Sequence, residues 1–240
     1  MSDLDPNGGT DPLGIFHLFL KRTVDVTAPR LSAVYQRLVR LGSFPACWRQ
    51  ANVTPIQKGP RSLFVANYRP ISITSVMSMV FELLVSVRLG RFLEHCGALP
   101  TTQFAYGKGL GACDALLCMF HTLQSALGSG QKAWIVQIDF RAAFDMVNHQ
   151  GILNWLASVG IEGSVLSILS QLLSNLSQHV MVDGCRRKLV NGLSGVPQGS
   201  ILGPLLFLLY ISELFSILEN KLIGYADDST LMAVVPSRYV

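Results

Sequence analysis

At 240 residues, half of them apolar and 14% charged, the chain is long enough to bury a substantial core and too apolar to be a disordered segment. Its formal charge of +4 is uneven: residues 1–130 carry twelve Lys/Arg against seven Asp/Glu, and residues 131–240 carry seven against eight. A basic first half and an acid-bearing second half suit a polyanion held near a metal site, and an ordinary solvated surface fits the same numbers equally well.

Five cysteines (Cys47, Cys96, Cys113, Cys118, Cys185) show no C-x-x-C and no zinc spacing with the five histidines. They read as reduced thiols of an intracellular protein, nuclear or cytoplasmic. Met1 to Asp11 is polar and acidic, without a secretory pattern.

In chain order, residues 1–12 hold Pro6, Gly8, Gly9 and Pro12 and read as a loose lead-in. Apolar spacing predicts helices over Leu13–Val24 and Pro29–Leu41, with Pro29 in the first turn of the second and Gly42 as its stop. Ala51–Ile56 reads as a short strand, followed by a loop from Gln57 to Ala66 with Lys58 and Arg61. Asn67–Ser72 is extended, because the residue before Pro70 is pushed away from helix. A long helix over Ser75–Cys96 is expected to turn Glu82 and Arg88 to solvent.

Gly107–Gly111 is a glycine-rich turn around Lys108, Ala112–Leu127 a helix, and Ala133–Ile138 an apolar strand ending at Asp139. Helices follow over Gln150–Val159 and Ser164–Leu173. Gln178–Val182 and Arg186–Val190 then alternate in polarity around Asp183-Gly184, a hairpin signal. A loop over Gly192–Gly199 leads into the apolar run Ile201–Leu218. Pro204 and Glu213 interrupt that run, which reads as a buried helix, with a membrane span as the lesser alternative. A last hairpin joins Lys221–Ala226 to Ser229–Val235. Helices and loops first, then strand, helix, hairpin, helix and hairpin, give an α+β fold.

Chemistry concentrates at strand ends. Asp227 and Asp228 occupy the last turn, a place where Asp is common for purely conformational reasons. Asp139 ends a strand read as buried, where a carboxylate is costly unless paired or bound to metal; a helix cap is its other reading. Two strand-end carboxylate sites far apart in sequence are what a two-metal phosphoryl-transfer centre uses. Asp145 reads as a helix cap with no catalytic role. Gly195-Val196-Pro197-Gln198-Gly199-Ser200 brings glycines, a donor–acceptor side chain and a helix start together, suited to a nucleotide or other anion.

These stretches resemble the reverse transcriptase of non-long-terminal-repeat (LINE-type, jockey-like) retrotransposons. The matching runs, in the family's order, are Asn67–Ser72, Gln103–Tyr106, Asp139–Asp145, Ser194–Ser200 with Leu202–Phe207, and Tyr225–Asp228. The likeness covers about residues 13–235. It implies a right-hand polymerase: fingers within residues 13–130, and a palm over residues 131–240 whose antiparallel sheet is backed by helices. It also implies an RNA-directed DNA polymerase that adds dNTPs to a DNA primer on an RNA template. Asp139, Asp227 and Asp228 resemble the family's ligands for two Mg²⁺ ions, for which Mn²⁺ can substitute. Lys58 and Arg69 resemble its triphosphate contacts, Phe144 the aromatic beneath the deoxyribose, Gln198 and Gly199 the loop on nucleotide and template, and Tyr225 a support for the primer end.

The chain departs from the pattern in two places. Gly107 stands where the family carries Arg, which removes an expected basic contact. The last residue falls twelve after Asp228, so a fragment without a thumb, weak or inactive alone, is expected. The alternative function is a catalytically silent nucleic-acid-binding remnant.

Overall fold

A computed structural model of the chain describes residues 11–59, 64–107, 109–182, 185–192, 195–218 and 222–236. Most of the lead-in, Arg61, Lys108, the Asp183-Gly184 turn, Ser194 and Lys221 lie outside the described residues. The chain divides into two units, each drawing on two stretches of sequence: Met1–Leu89 with Phe144–Gly203, and Gly90–Ala143 with Pro204–Val240.

The first unit opens with α1 (His17–Arg22) and α2 (Val24–Leu41). α2 starts five residues before the expected position, so Pro29 lies inside it rather than in its first turn. Its end is as expected: Gly42 takes a left-handed φ of 60°, and the Ser43 N–H returns to the Leu38 carbonyl at 3.1 Å. β1 (Gln50–Gln57) pairs antiparallel with β2 (Tyr68–Ile73) and parallel with β4 (Leu176–Val182), and β4 pairs antiparallel with β5 (Cys185–Gly192). The sheet order is β2-β1-β4-β5.

Most of α3 (Val76–His95) belongs to this unit, as do α5 (His149–Ser158) and α6 (Gly163–Leu173). Tyr35, Phe44, Trp48 and Phe81 form a ring cluster with centroids 5.3 Å apart at the closest, Tyr35 to Phe81. The expected loose lead-in ends in a fixed residue. Asp11 is buried and accepts from the N–H groups of Leu13 (2.9 Å), Ile15 (2.8 Å) and Val76 (3.0 Å), so it supplies an acceptor and a negative charge to the start of α3.

The second unit holds α4 (Ala112–Gly128), β3 (Lys132–Asp139), nearly all of α7 (Gly203–Ile217), β6 (Leu222–Tyr225) and β7 (Asp228–Val235). The three strands form an antiparallel sheet in the order β3-β7-β6. Ala115 of α4 packs with Ile223 and Met232, flanked by Phe104, Cys118, Met119 and Leu123. α7 buries Leu206, Phe207, Leu208, Leu209, Ile211 and Phe215, and Pro204 stands near its start, where a missing N–H costs nothing. Among the described residues no helix is long and apolar enough to cross a membrane.

β3 corrects the sequence reading. It is an edge strand of its sheet, and unlike the other edge strand, β6, it is uncovered: Trp134, Ile135 and Val136 are all exposed, Trp134 by 58%. An apolar run does not say what will cover its faces, so the expected burial of Asp139 fails. Asp139 is exposed.

Candidate active site

The second unit collects the three acids at one end of its sheet. β3 and β7 run in register from Lys132↔Val235 to Asp139↔Asp228, so the last pair of the ladder is a pair of carboxylates. Tyr225 and Asp228 close the β6–β7 hairpin as partners, leaving Ala226 and Asp227 as its two-residue turn. Asp139 and Asp228 are exposed and Asp227 is half-buried. A cleft of about 520 Å³ lies between this face of the sheet and α4, lined at its acidic end by Asp139, Tyr225 and Asp228.

Among the described residues no group of three or more His, Cys, Asp or Glu side chains is arranged to enclose a metal ion. The donor set nevertheless fits a hard divalent cation. Mg²⁺ is commonly held by one or two carboxylates, with water and substrate phosphate oxygens completing the shell, and does not need an all-protein cage.

Tyr106 belongs to the same surroundings. Its phenol is pushed above the ordinary tyrosine range by burial first, then by the negative charge of Asp227 and by Tyr225.

The first unit carries the glycine-rich loop. The Gly195 N–H donates to the Val147 carbonyl at 3.0 Å, the Val196 N–H to the Phe144 carbonyl at 2.9 Å, and the Ser72 N–H to the Gln198 carbonyl at 2.7 Å. Both glycines are required. At Gly195 (φ +82°) a Cβ would stand 2.7 Å from the Asp145 Cα, and at Gly199 (φ +125°) it would stand 2.3 Å from the Ser72 carbonyl oxygen. Gln198 Nε2 donates to Asp145 Oδ1 at 3.3 Å. Asp145 is therefore not the helix cap expected from sequence. Asn148 caps α5, accepting from the Gly151 N–H at 3.0 Å.

Lys58 and Arg69 stand exposed at the loop end of the β1–β2 hairpin, where the Lys58 N–H donates to the Asn67 carbonyl at 2.7 Å. Phe144 is half-buried. Beside the loop lies a cavity of about 360 Å³ whose lining includes Trp48, Ser72, Thr74, Asp145 and Gln198.

The sequence model of the reverse transcriptase (RNA-dependent DNA polymerase) family matches residues 56–238. The chain belongs to this family. Among curated relatives, a probable RNA-directed DNA polymerase from transposon X-element of Drosophila melanogaster is 31% identical over 185 residues, 77% of this chain and 20% of that protein. The RNA-directed DNA polymerase from mobile element jockey of the same species is 28% identical over 211 residues, 84% of this chain and 23% of that protein. The reverse transcriptase chain thus spans about a fifth of the length of these relatives. In fold it resembles apo telomerase from Candida tropicalis, with a TM-score of 0.54 and 13% identity over 91% of this chain and 49% of that one.

Two functional neighbours escaped the sequence reading. In sequence Gln103 is no more than a member of a matching run, yet its side chain grips the backbone of the acidic turn. Glu82, expected at the surface of the reverse transcriptase, is 3% exposed and bonded to Ser78, Ser200, Ile201 and Leu202. Its only sequence signal was an acid amid the apolar residues of a long helix.

Proposed function

We propose that this chain carries the nucleotidyl-transfer site of an RNA-directed DNA polymerase of the non-long-terminal-repeat retrotransposon kind, acting on an RNA template, a DNA primer and a dNTP. The observation that carries the reading is the in-register Asp139–Asp228 pair beside the turn that presents Asp227. The reaction joins the primer 3′-oxygen to the α-phosphorus of the dNTP, breaks the bond to pyrophosphate and releases the hydroxyl proton to solvent.

Asp139, Asp227 and Asp228 would hold two Mg²⁺ ions. Bound there, the ions supply charge neutralisation for the triphosphate and a lowered pKa for the primer hydroxyl. Lys58 and Arg69 offer exposed cations to the triphosphate, Phe144 an aromatic surface to the sugar, and Gln198 with Gly199 a fixed loop to the nucleotide and template. Tyr225, 42% exposed at the hairpin end, would support the primer terminus.

The test is Mg²⁺- or Mn²⁺-dependent dNTP incorporation on a primed RNA template by the wild type and by Asp227→Asn. Incorporation lost in the variant is expected; equal incorporation overturns the proposal. A second reading, nucleic-acid binding without turnover, is favoured by the exposed basic run Arg186-Arg187-Lys188 on β5. It requires salt-sensitive RNA binding that Asp227→Asn leaves unchanged, with no metal-dependent incorporation from either protein.

A further inference from the structure

The turn that presents Asp227 and Asp228 is one its own sequence disfavours. The favoured two-residue hairpin loops take a positive φ at their first central position, which glycine, asparagine or aspartate usually fills. Here that position is Ala226, with φ +58°. Alanine rarely enters this region, because its Cβ crowds the following carbonyl. Such a conformation persists when surrounding contacts over-determine it.

The surrounding contact is Gln103. The residue is 4% exposed, and its amide engages both backbone groups of Ala226. Nε2 donates to the Ala226 carbonyl at 3.1 Å, and the Ala226 N–H donates to Oε1 at 3.0 Å. The same Oε1 accepts from the Ala105 N–H at 3.1 Å, which fixes which amide atom faces which partner.

The backbone around Gln103 is itself docked on β6. The Phe104 N–H donates to the Gly224 carbonyl at 2.9 Å, and the Gly224 N–H to the Thr102 carbonyl at 2.9 Å. Gly224 leaves room for this approach, since a Cβ there would stand 2.6 Å from Gln103 Nε2. The clamp is therefore anchored at both ends, in a side chain 123 residues from the backbone it holds.

We infer that Gln103 is a positioning residue of the acidic turn: its amide holds Ala226 in the left-handed conformation and so fixes the direction in which Asp227 and Asp228 project. The inference rests on the proposed role of those two acids. It demands a donor and an acceptor in one planar group. Glutamate, with the same shape, would set an oxygen against the Ala226 carbonyl, and alanine would leave both backbone groups without their partner.

The experiment uses the full chain as wild type, Gln103→Glu, Gln103→Ala, Ala226→Gly and Gln103→Ala/Ala226→Gly. Amide hydrogen exchange is read at Ala226, and metal-dependent incorporation on a primed RNA template at varied dNTP and Mg²⁺, with Asp227→Asn as reference. Gln103→Ala and Gln103→Glu are expected to speed exchange at Ala226 at least tenfold while the β7 amides stay protected. They are also expected to lower kcat at least tenfold with dNTP KM within about twofold. Ala226→Gly, free to adopt the required φ, is expected to retain wild-type turnover and to recover most of it in the double variant.

Unchanged exchange at Ala226 in Gln103→Glu overturns the inference, and so does a double variant no better than Gln103→Ala. If Gln103→Ala fails to fold, Gln103→Glu and Ala226→Gly still decide the matter. If wild type and Asp227→Asn incorporate equally, the polymerase reading fails, and exchange at Ala226 alone still decides whether Gln103 holds the turn.

Discussion

Glu82 offers the sharpest test of how the glycine-rich loop is held. The carboxylate is buried in α3 and accepts four hydrogen bonds: from Ser78 Oγ (2.8 Å), Ser200 Oγ (2.6 Å), and the N–H groups of Ile201 (3.0 Å) and Leu202 (3.3 Å). Ser200 Oγ in turn accepts from the Gly203 N–H at 3.1 Å. One oxygen thus serves the chain leading into α7, where unpaired N–H groups and the helix dipole both favour a negative charge. Replacing Glu82 by alanine leaves the Leu202 N–H buried and unpaired, the Ile201 N–H partly so, and opens a small cavity. An unsatisfied buried donor costs about 1–3 kcal/mol, so the sum is about 3–4 kcal/mol. Glu82→Gln can keep its carbonyl oxygen on the three loop donors and turn its NH₂ toward Ser78, losing only charge assistance, about 1 kcal/mol. Urea unfolding followed by tryptophan fluorescence measures both, since Trp48 packs on Phe81 at a centroid distance of 6.0 Å. An alanine variant within 1 kcal/mol of wild type, or a glutamine variant as unstable as the alanine one, refutes the reasoning.

Other perturbations bear on neighbouring parts of the structure. Gly199→Ala places a methyl group 2.3 Å from the Ser72 carbonyl in a backbone region closed to side chains, and is expected to cost about 3 kcal/mol or more in the same unfolding assay. Asn148→Ala removes the α5 cap and is expected to cost about 1 kcal/mol, read as a shift of the urea midpoint. Burial raises the Tyr35 phenol to about 12, and its hydroxyl donates to the Met77 carbonyl at 3.0 Å. The folded state holds that proton more tightly than the unfolded one, so the contribution is complete below pH 10 and is lost as pH rises from 10 through 12, about 3 kcal/mol in all. Tyr35→Phe should flatten that part of the stability profile.

The readability of the fold followed the range of the forces involved. Helices, hairpins and the Gly42 stop depend on periodicity and local turn chemistry, and they form in the predicted order, although α1 is confined to His17–Arg22 and α2 begins five residues early. Apart from the bounds of α1 and α2, the departures concern partners distant in sequence. Glu82 looked like a surface acid because its partners lie 118 to 120 residues on, apart from Ser78. Asp11 looked like part of a loose end because its third donor, Val76, lies 65 residues away. β3 looked buried because an apolar run carries no information about what will cover its faces. At the candidate site, the acids and the glycines were visible as residue types. The register that pairs Asp139 with Asp228, and the Asp145–Gln198 contact, belong to tertiary structure alone.

That difference explains where backbone strain collects. Among the described residues, the non-glycine positions with left-handed backbone are Tyr106, Ala142, Asn175 and Ala226. Asn175 is the ordinary case, since asparagine tolerates this region. The other three belong to the second unit: Ala142 is three residues past Asp139, Ala226 directly precedes Asp227, and the phenol of Tyr106 feels the charge of Asp227. Each costs about 1–2 kcal/mol that local sequence does not return. A hairpin closed through Asn-Gly would form from its own preferences and keep its shape when its surroundings loosened. One closed through Ala-Asp keeps its shape only while Gln103 remains docked on β6. The acidic turn should therefore be among the first parts of its unit to change when residues 102–105 are disturbed, although some 120 residues of sequence separate them.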